Sequence, residues 1–202
     1  MSPTQSTLGM HNVLIKITEI EKIFQTNNNI NSYRQEKIIP VVIGPEGKFY
    51  ILDGHHSSRA LLESSLENSE KFLIAKVEQN FLEMDKQKFW DEMLKRNWVN
   101  LYHLGERLER PADLPDNIDD LEDDFYRSLA SVVRKNNGFR KIEVPFQEFY
   151  WARYFRSQNV PLPYYRINNF FEYENAINSV LSQALLLAHD RKAQNLPGYI
   201  PL

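Results

Sequence analysis

The sequence of 202 residues contains no cysteine. Disulfides, thiolate metal sites and a cysteine nucleophile are therefore excluded. It also has no run of about 18 apolar residues, so we expect no membrane-spanning helix and no membrane partner. Residues 1–5 lack the basic start and apolar core of a signal peptide, which predicts a cytoplasmic protein.

An excess of basic charge is also absent. The 24 basic and 27 acidic residues leave a net charge of −3, which argues against a protein whose main role is to coat nucleic acid. The charge is uneven: residues 106–124 hold nine acidic residues and two arginines, and residues 127–156 hold seven basic residues and two glutamates. The basic stretch could hold a phosphate backbone, but amphipathic helices with solvated charges have the same pattern. Nucleic acid is therefore only weakly indicated as a partner.

The first 80 residues predict a small mixed sheet. Residues 38–43 and 48–53 read as the strands of a β-hairpin, with a turn at residues 44–47. We expect a helix over residues 55–66 and a third strand over residues 72–77, forming a β-α-β unit.

The other elements are predicted to be helical, because apolar residues recur every three to four positions. The expected helices cover residues 9–25, 84–98, 124–136 and 146–156, and a last one ends near His189. A single apolar stripe on this last helix predicts core packing or an oligomer contact: Tyr173, Ala176, Ile177, Val180, Leu181, Ala184 and Leu185. The fold class is thus α+β, with a sheet domain at residues 1–82 that carries the site and a helical extension at residues 83–202 packed on it.

The densest group of chemically active side chains lies where the hairpin turns into a helix. It reads Asp53-Gly54-His55-His56-Ser57-Ser58-Arg59. The first turn of a helix leaves backbone N–H groups unpaired and carries partial positive charge, so a phosphate fits there. The ordinary alternative is a surface turn with structural histidines.

The residues of this turn have alternative structural and functional roles. Asp53 or Gly54 would cap the helix, and Asp53 would alternatively bind Mg²⁺ or Mn²⁺. Adjacent histidines on a helix point about 100° apart, so His55 and His56 do not suit a shared metal as a first-turn pair. Together with Asp53 they could still offer two of three metal ligands from the turn. We expect one imidazole to donate to phosphate and the other to act as acid or base, with a packed structural histidine as the alternative.

These motifs resemble the ParB-like nuclease family, whose fold is of the ParB/sulfiredoxin type. The likeness covers residues 3 to about 156 and rests on the following segments: Pro3-Thr4-Gln5 with Gly9, Asp53 to His56 with Arg59-Ala60, residues 123–130, residues 138–141 and residues 145–156. Because cysteine is missing, the sulfinic acid reduction of sulfiredoxins is excluded. The chain after Leu66 does not look like the helix-turn-helix of partition proteins, so centromere binding is not expected.

The resemblance implies that the turn binds the phosphate of a nucleotide such as ATP, ADP or CTP. The resemblance gives Asp53, Gly54, His55, His56 and Arg59 as the phosphate-binding set. The residues themselves add further candidate ligands: Thr4, Gln5, Ser57 and Ser58 of the sheet domain and Arg127 of the extension. Asp53, His55 and His56 are the candidate catalytic residues. Ser57 stands where the family often has arginine, and Arg59 would replace that arginine. Arg127 would either complete a phosphate clamp or form a salt bridge with Asp123 or Asp124.

Three functions follow. The first is a nuclease or phosphodiesterase that uses a divalent metal and a histidine. The second is a phosphotransferase that uses ATP or ADP on a small molecule, although Gln5 cannot serve as the carboxylate base that such a reaction needs. The third is a non-catalytic module that binds a nucleotide or a partner.

Overall fold

The computed structural model describes residues 1–163, 167 and 169–201. The chain forms two compact units: the first contains Met1–Leu8 and Val13–Glu122, and the second contains Gly9–Asn12 and Asp123–Leu202. The first unit thus continues well past residue 82, where the sequence analysis placed the domain boundary.

The described residues form the following strands and helices. The strands are β1 Ser2–Pro3, β2 Thr7–Leu8, β3 Ile39–Ile43, β4 Phe49–Ile51, β5 Ala75–Asn80, β6 Tyr102–His103, β7 Glu106–Arg107 and β8 Glu122–Asp123. The helices are α1 Met10–Asn27, α2 Asn31–Glu36, α3 His55–Glu63, α4 Lys86–Lys95, α5 Phe125–Lys135, α6 Gln147–Ser157 and α7 Phe170–Ala188. None of the helices among these residues is both long enough and apolar enough to cross a membrane.

The predicted hairpin is confirmed. Strands β3 and β4 pair antiparallel with Val41 opposite Ile51, and the turn between them holds Glu46 at φ 62° and Gly47 at φ 73°. The main sheet has the strand order β1-β4-β3-β5, and β1 runs parallel to β4 with Pro3 opposite Ile51. This register brings the carboxyl ends of β1 and β4 to the same edge of the sheet.

The predicted β-α-β unit is wrong. Helix α3 connects β4 to β5, but β5 pairs parallel with β3 and begins at Ala75. Because β3 is antiparallel to β4, strands β4 and β5 run in opposite directions with β3 between them. The parallel neighbour of β4 is instead the two-residue strand β1, which is too short to show a hydrophobic period.

The two faces of this sheet bury different side chains, as the alternation of a strand requires. On one face, Val42 joins a core cluster with Phe81, Phe89, Met93, Val99 and Leu101, so α4 packs here. Val41 and Ile51 are buried elsewhere in the same unit. The polar segment at residues 27–32 contains the fully buried Ile30 just before α2.

The second unit packs α5 against both α6 and α7. The predicted stripe on α7 lies in this core, where Tyr173, Ala176, Ile177, Val180 and Ala184 are buried. A dimer through α7 stays a prediction and would need other side chains of that helix. Helix α6 does not begin at residue 146 as predicted, because Phe146 adopts the left-handed region at φ 58° and acts as the N-cap.

Candidate functional site

The turn between β4 and α3 is built on Gly54, which is the N-cap of α3. Gly54 has φ 89° and ψ 13°, a left-handed conformation that favours glycine. A Cβ atom at this position would lie 2.4 Å from Cδ1 of the buried Ile39. Asp53 is exposed, and its Oδ1 accepts the Gly54 N–H at 2.6 Å rather than an amide of the first helical turn. The glycine therefore lets the chain enter α3 directly from the sheet edge.

His55 ties the first strand to this turn. The imidazole is buried, and its Nε2 accepts the backbone N–H of Thr4 at 3.1 Å. A ring nitrogen that accepts a hydrogen bond carries no proton, so this geometry requires the neutral tautomer with the proton on Nδ1. His55 thus ties the turn to the segment after β1, and His56 is partly exposed at the same turn.

Thr4 and Gln5 are two of the predicted phosphate ligands, and their side chains form hydrogen bonds with backbone carbonyls of the first unit. Thr4 Oγ1 donates to the carbonyl of Ile51 at 2.7 Å, and Gln5 Nε2 donates to the carbonyl of Thr7 at 2.7 Å. Both residues are buried. Their hydrogen bonds hold the segment after β1 beside the carboxyl end of β4.

Arg59 is also used structurally. Its Nη1 donates to the carbonyls of Ile118, Asp119 and Leu121 at 3.1, 3.0 and 3.0 Å, and its Nε pairs with Glu63 one turn along α3. The guanidinium therefore fastens the acidic connection between α4 and α5 to α3. The structure thus gives Arg59 a tethering contact, and its contact with phosphate stays a prediction.

The two serines of the motif are both buried. Ser57 lies beside Tyr33, and burial raises the pKa of the Tyr33 hydroxyl. Ser58 Oγ has no hydrogen-bond partner among the described residues. Ser58 lines a cleft of about 360 Å³ whose other walls are mainly apolar, including Ile51, Leu61, Leu62, Phe72, Leu73 and Ile118.

At this turn, the first-turn amides of α3 and the imidazole of His56 are groups that suit an anion, and the exposed carboxylate of Asp53 suits a cation. They lie where the carboxyl ends of two parallel strands meet, a common position for ligands in α/β sheets. Among the described residues, no three His, Cys, Asp or Glu side chains come together to hold a metal ion. A cation at Asp53 would therefore take most of its ligands from phosphate oxygens and water, as Mg²⁺ commonly does.

Arg127 belongs to the second unit and pairs with a carboxylate that the sequence analysis did not single out. Its Nη1 donates to Ser131 Oγ at 2.6 Å, and its Nη2 lies 3.7 Å from Glu148 Oε2. Arg134 Nε lies 3.0 Å from Glu148 Oε1. Burial alone would raise the pKa of the Glu148 carboxyl, but the two arginines outweigh burial and lower it. Spacing could have suggested this cluster, because Arg127 and Arg134 are two helical turns apart.

The neighbouring aspartates have separate roles. Asp124 caps α5 by accepting the N–H groups of Tyr126 and Arg127 at 2.9 and 3.2 Å, and it also accepts Arg156 Nη2 at 2.8 Å. Asp123 accepts the Met10 N–H at 2.9 Å and the Tyr173 hydroxyl at 2.8 Å, and burial raises the pKa of Asp123.

His11 is a buried imidazole that the sequence analysis missed. Its ring stacks on Phe170 with the centroids 5.3 Å apart, and Tyr173 lies 5.7 Å away. Neither ring nitrogen has a hydrogen-bond partner among the residues that the structure describes. Burial lowers the pKa of His11, Glu174 partly opposes this effect, and Lys135 adds to it.

The structure is that of a mixed α/β protein with a small mixed sheet, and comparison with known proteins gives its family. The family described as "Putative ParB-like nuclease" matches residues 1–157, so the chain belongs to this family. The crystal structure of protein Atu1540 from Agrobacterium tumefaciens is similar to the chain, with a TM-score of 0.79 and 30% sequence identity. That alignment covers 100% of this chain and 92% of Atu1540. No curated protein matches the sequence.

Proposed function

We propose that the chain binds a phosphate ester at the N-terminus of α3 and hydrolyses it, as a nuclease or phosphodiesterase. The observation that carries the proposal is the left-handed Gly54, which starts a nine-residue helix at the shared carboxyl edge of β1 and β4. Helix N-termini of this kind bind phosphate through backbone N–H groups. Membership of the ParB-like family supports the same site.

The two histidines have different roles in this proposal. His55 positions the turn, because its Nε2 is held by the Thr4 N–H. His56 is the acid or base, since it is partly exposed in the first turn of α3. Asp53 is exposed beside it and would share Mg²⁺ or Mn²⁺ with the phosphate of the substrate. ATP, ADP, CTP and short DNA are the candidate substrates.

A second candidate function is binding of the same ligands without turnover. Two observations favour it. His55 and Arg59 both make structural contacts, so His56 is the one imidazole of the motif that this proposal assigns to catalysis. The described residues also hold no cluster of His, Cys, Asp or Glu side chains that could bind a metal. A phosphotransferase has less support, because the buried Gln5 supplies no carboxylate and donates to Thr7.

The test combines calorimetry with a hydrolysis assay on the native chain and on His56→Ala, with and without Mg²⁺ or Mn²⁺. The ligands are ATP, ADP, CTP, pyrophosphate and a short DNA duplex. We expect His56→Ala to lower turnover by about a hundredfold or more while binding persists, as for loss of a general acid or base. His103→Ala is the matched control, because His103 is a partly exposed histidine of the same unit outside the turn.

Binding without turnover in the native chain would favour the second candidate. Absence of binding by every ligand would contradict the phosphate site itself.

A further inference from the structure

Strand β5 forms an edge of the main sheet. It is the last strand in the order β1-β4-β3-β5, so within the described part of the chain its outer edge has no neighbouring strand. Five of its six residues are exposed, and Glu78 is partly exposed. An open edge of this kind presents unpaired N–H and carbonyl groups and is a template for pairing with another chain.

Apolar side chains accompany this edge. Five of them in and around β3 and β5 are between 43% and 54% exposed: Ile38, Phe72, Ile74, Val77 and Leu82. Ile38 and Ile74 are neighbours, because the N–H of the next residue, Ile39, donates to the Ile74 carbonyl at 2.8 Å. Neighbouring exposed apolar side chains such as Ile38 and Ile74 are typical of a surface that is covered in an interaction.

The charges on β5 fit a second copy of the same strand. Lys76 and Glu78 flank Val77, and within one chain Lys76 Nζ lies 2.9 Å from Glu78 Oε1. In an antiparallel pair with a two-fold axis at Val77, Lys76 of each copy lies opposite Glu78 of the other. An axis at residue 76 or 78 would instead place Lys opposite Lys or Glu opposite Glu. The edge is therefore complementary to itself in one register, and opposite charges across a strand pair stabilise it.

The strand also carries a bulge. Val41 pairs with Val77, but Val42 pairs with Gln79, so Glu78 is an extra residue in the ladder with β3. A bulge increases twist and shortens the stretch that can pair. Any strand pairing at this edge is therefore limited to a few residues around Val77.

We propose that β5 pairs antiparallel with β5 of a second copy of this chain, which joins two sheets across a two-fold axis at Val77. Two reciprocal Lys76–Glu78 contacts set the register, and the apolar residues beside the strand are covered. This proposal does not rest on the proposed function.

The experiment is analytical ultracentrifugation of the full chain up to about 200 µM, where a weak homodimer is populated. Lys76→Glu and Glu78→Lys are measured alone, as an equimolar mixture, and combined in one chain. Each single reversal places like charges opposite each other twice, so we expect the dissociation constant to rise at least about tenfold. Lys22→Glu, on the exposed part of α1, is the control and should leave the dimer unchanged.

The mixture is the decisive sample. A Lys76→Glu chain and a Glu78→Lys chain are complementary across the axis, so a heterodimer should form where neither variant dimerises alone. The chain with both reversals should also regain the dimer. A native chain that stays monomeric would overturn the proposal, and so would a dimer that persists in both single variants. Failure of both the mixture and the combined variant to dimerise would overturn it as well.

Discussion

An Arg59→Ala variant distinguishes between two roles of this side chain, a structural tether and a phosphate ligand. Its Nη1 serves three carbonyls, those of Ile118, Asp119 and Leu121, and its side chain is 16% exposed. One nitrogen has two hydrogens, so the three contacts amount to about two full hydrogen bonds. A bond to a charged group contributes about 1.5–3 kcal/mol, and the loss of side-chain ordering in the variant offsets part of this. We expect Arg59→Ala to lower the free energy of unfolding by about 2–4 kcal/mol.

The assay is thermal and urea unfolding of the native chain and the variant. A loss of this size corresponds to a fall in Tm of roughly 5–15 °C for a chain of this length. Glu63→Gln is the control, because it removes the ion pair with Arg59 and keeps the carbonyl contacts. Such a helical pair contributes about 0.2–0.5 kcal/mol, so Glu63→Gln should barely change Tm.

The same variants decide between the two roles of Arg59. As a tether, Arg59→Ala unfolds more easily, and its phosphate affinity below the melting range stays close to native. An unchanged Tm together with lost phosphate binding would refute the tether and restore the role expected from the sequence.

Three further predictions concern the second unit. Burial lowers the pKa of His11 below its ordinary 6.5, so the unfolded chain binds the proton more tightly, and the free energy of unfolding should fall as pH drops below about that value. His11→Phe should flatten this part of a plot of the urea midpoint against pH. A plot that keeps its native shape in the variant would contradict this prediction. Gly198→Ala should lower Tm strongly, since Gly198 has φ 79° and a Cβ would lie 2.1 Å from the Arg140 carbonyl oxygen. A Tm equal to that of the native chain would show that the segment around Gly198 can move away from Arg140. Glu148→Gln should lower the free energy of unfolding by about 1.5–3 kcal/mol at neutral pH, because it leaves two partly buried arginines without their carboxylate. The lowered pKa of Glu148 means that this contribution is lost as pH falls below its ordinary 4.5, so native and variant stabilities should converge in acid.

The roles of the motif residues show where sequence reasoning stops. The Asp53-Gly54-His55-His56 turn could be located because a strand, a glycine and a helix follow one another within a few residues. The tethers of His55 to Thr4 and of Arg59 to Ile118 could not be predicted, since their partners are 51 and 59 positions away. Short-range patterns carry no information on which distant carbonyl or amide reaches a side chain.

The sequence by itself determined the hairpin, the amphipathic helices and the turn at Gly54. These depend on period, turn chemistry and capping, which act over a few residues. Only the tertiary structure decided the sheet order, the pairing of β5 with β3 and the burial of the α7 stripe. It also decided that Glu148 lies between two arginines. In each case the partners are far apart in the sequence, and packing together with the hydrogen bonding of buried polar groups selects among them.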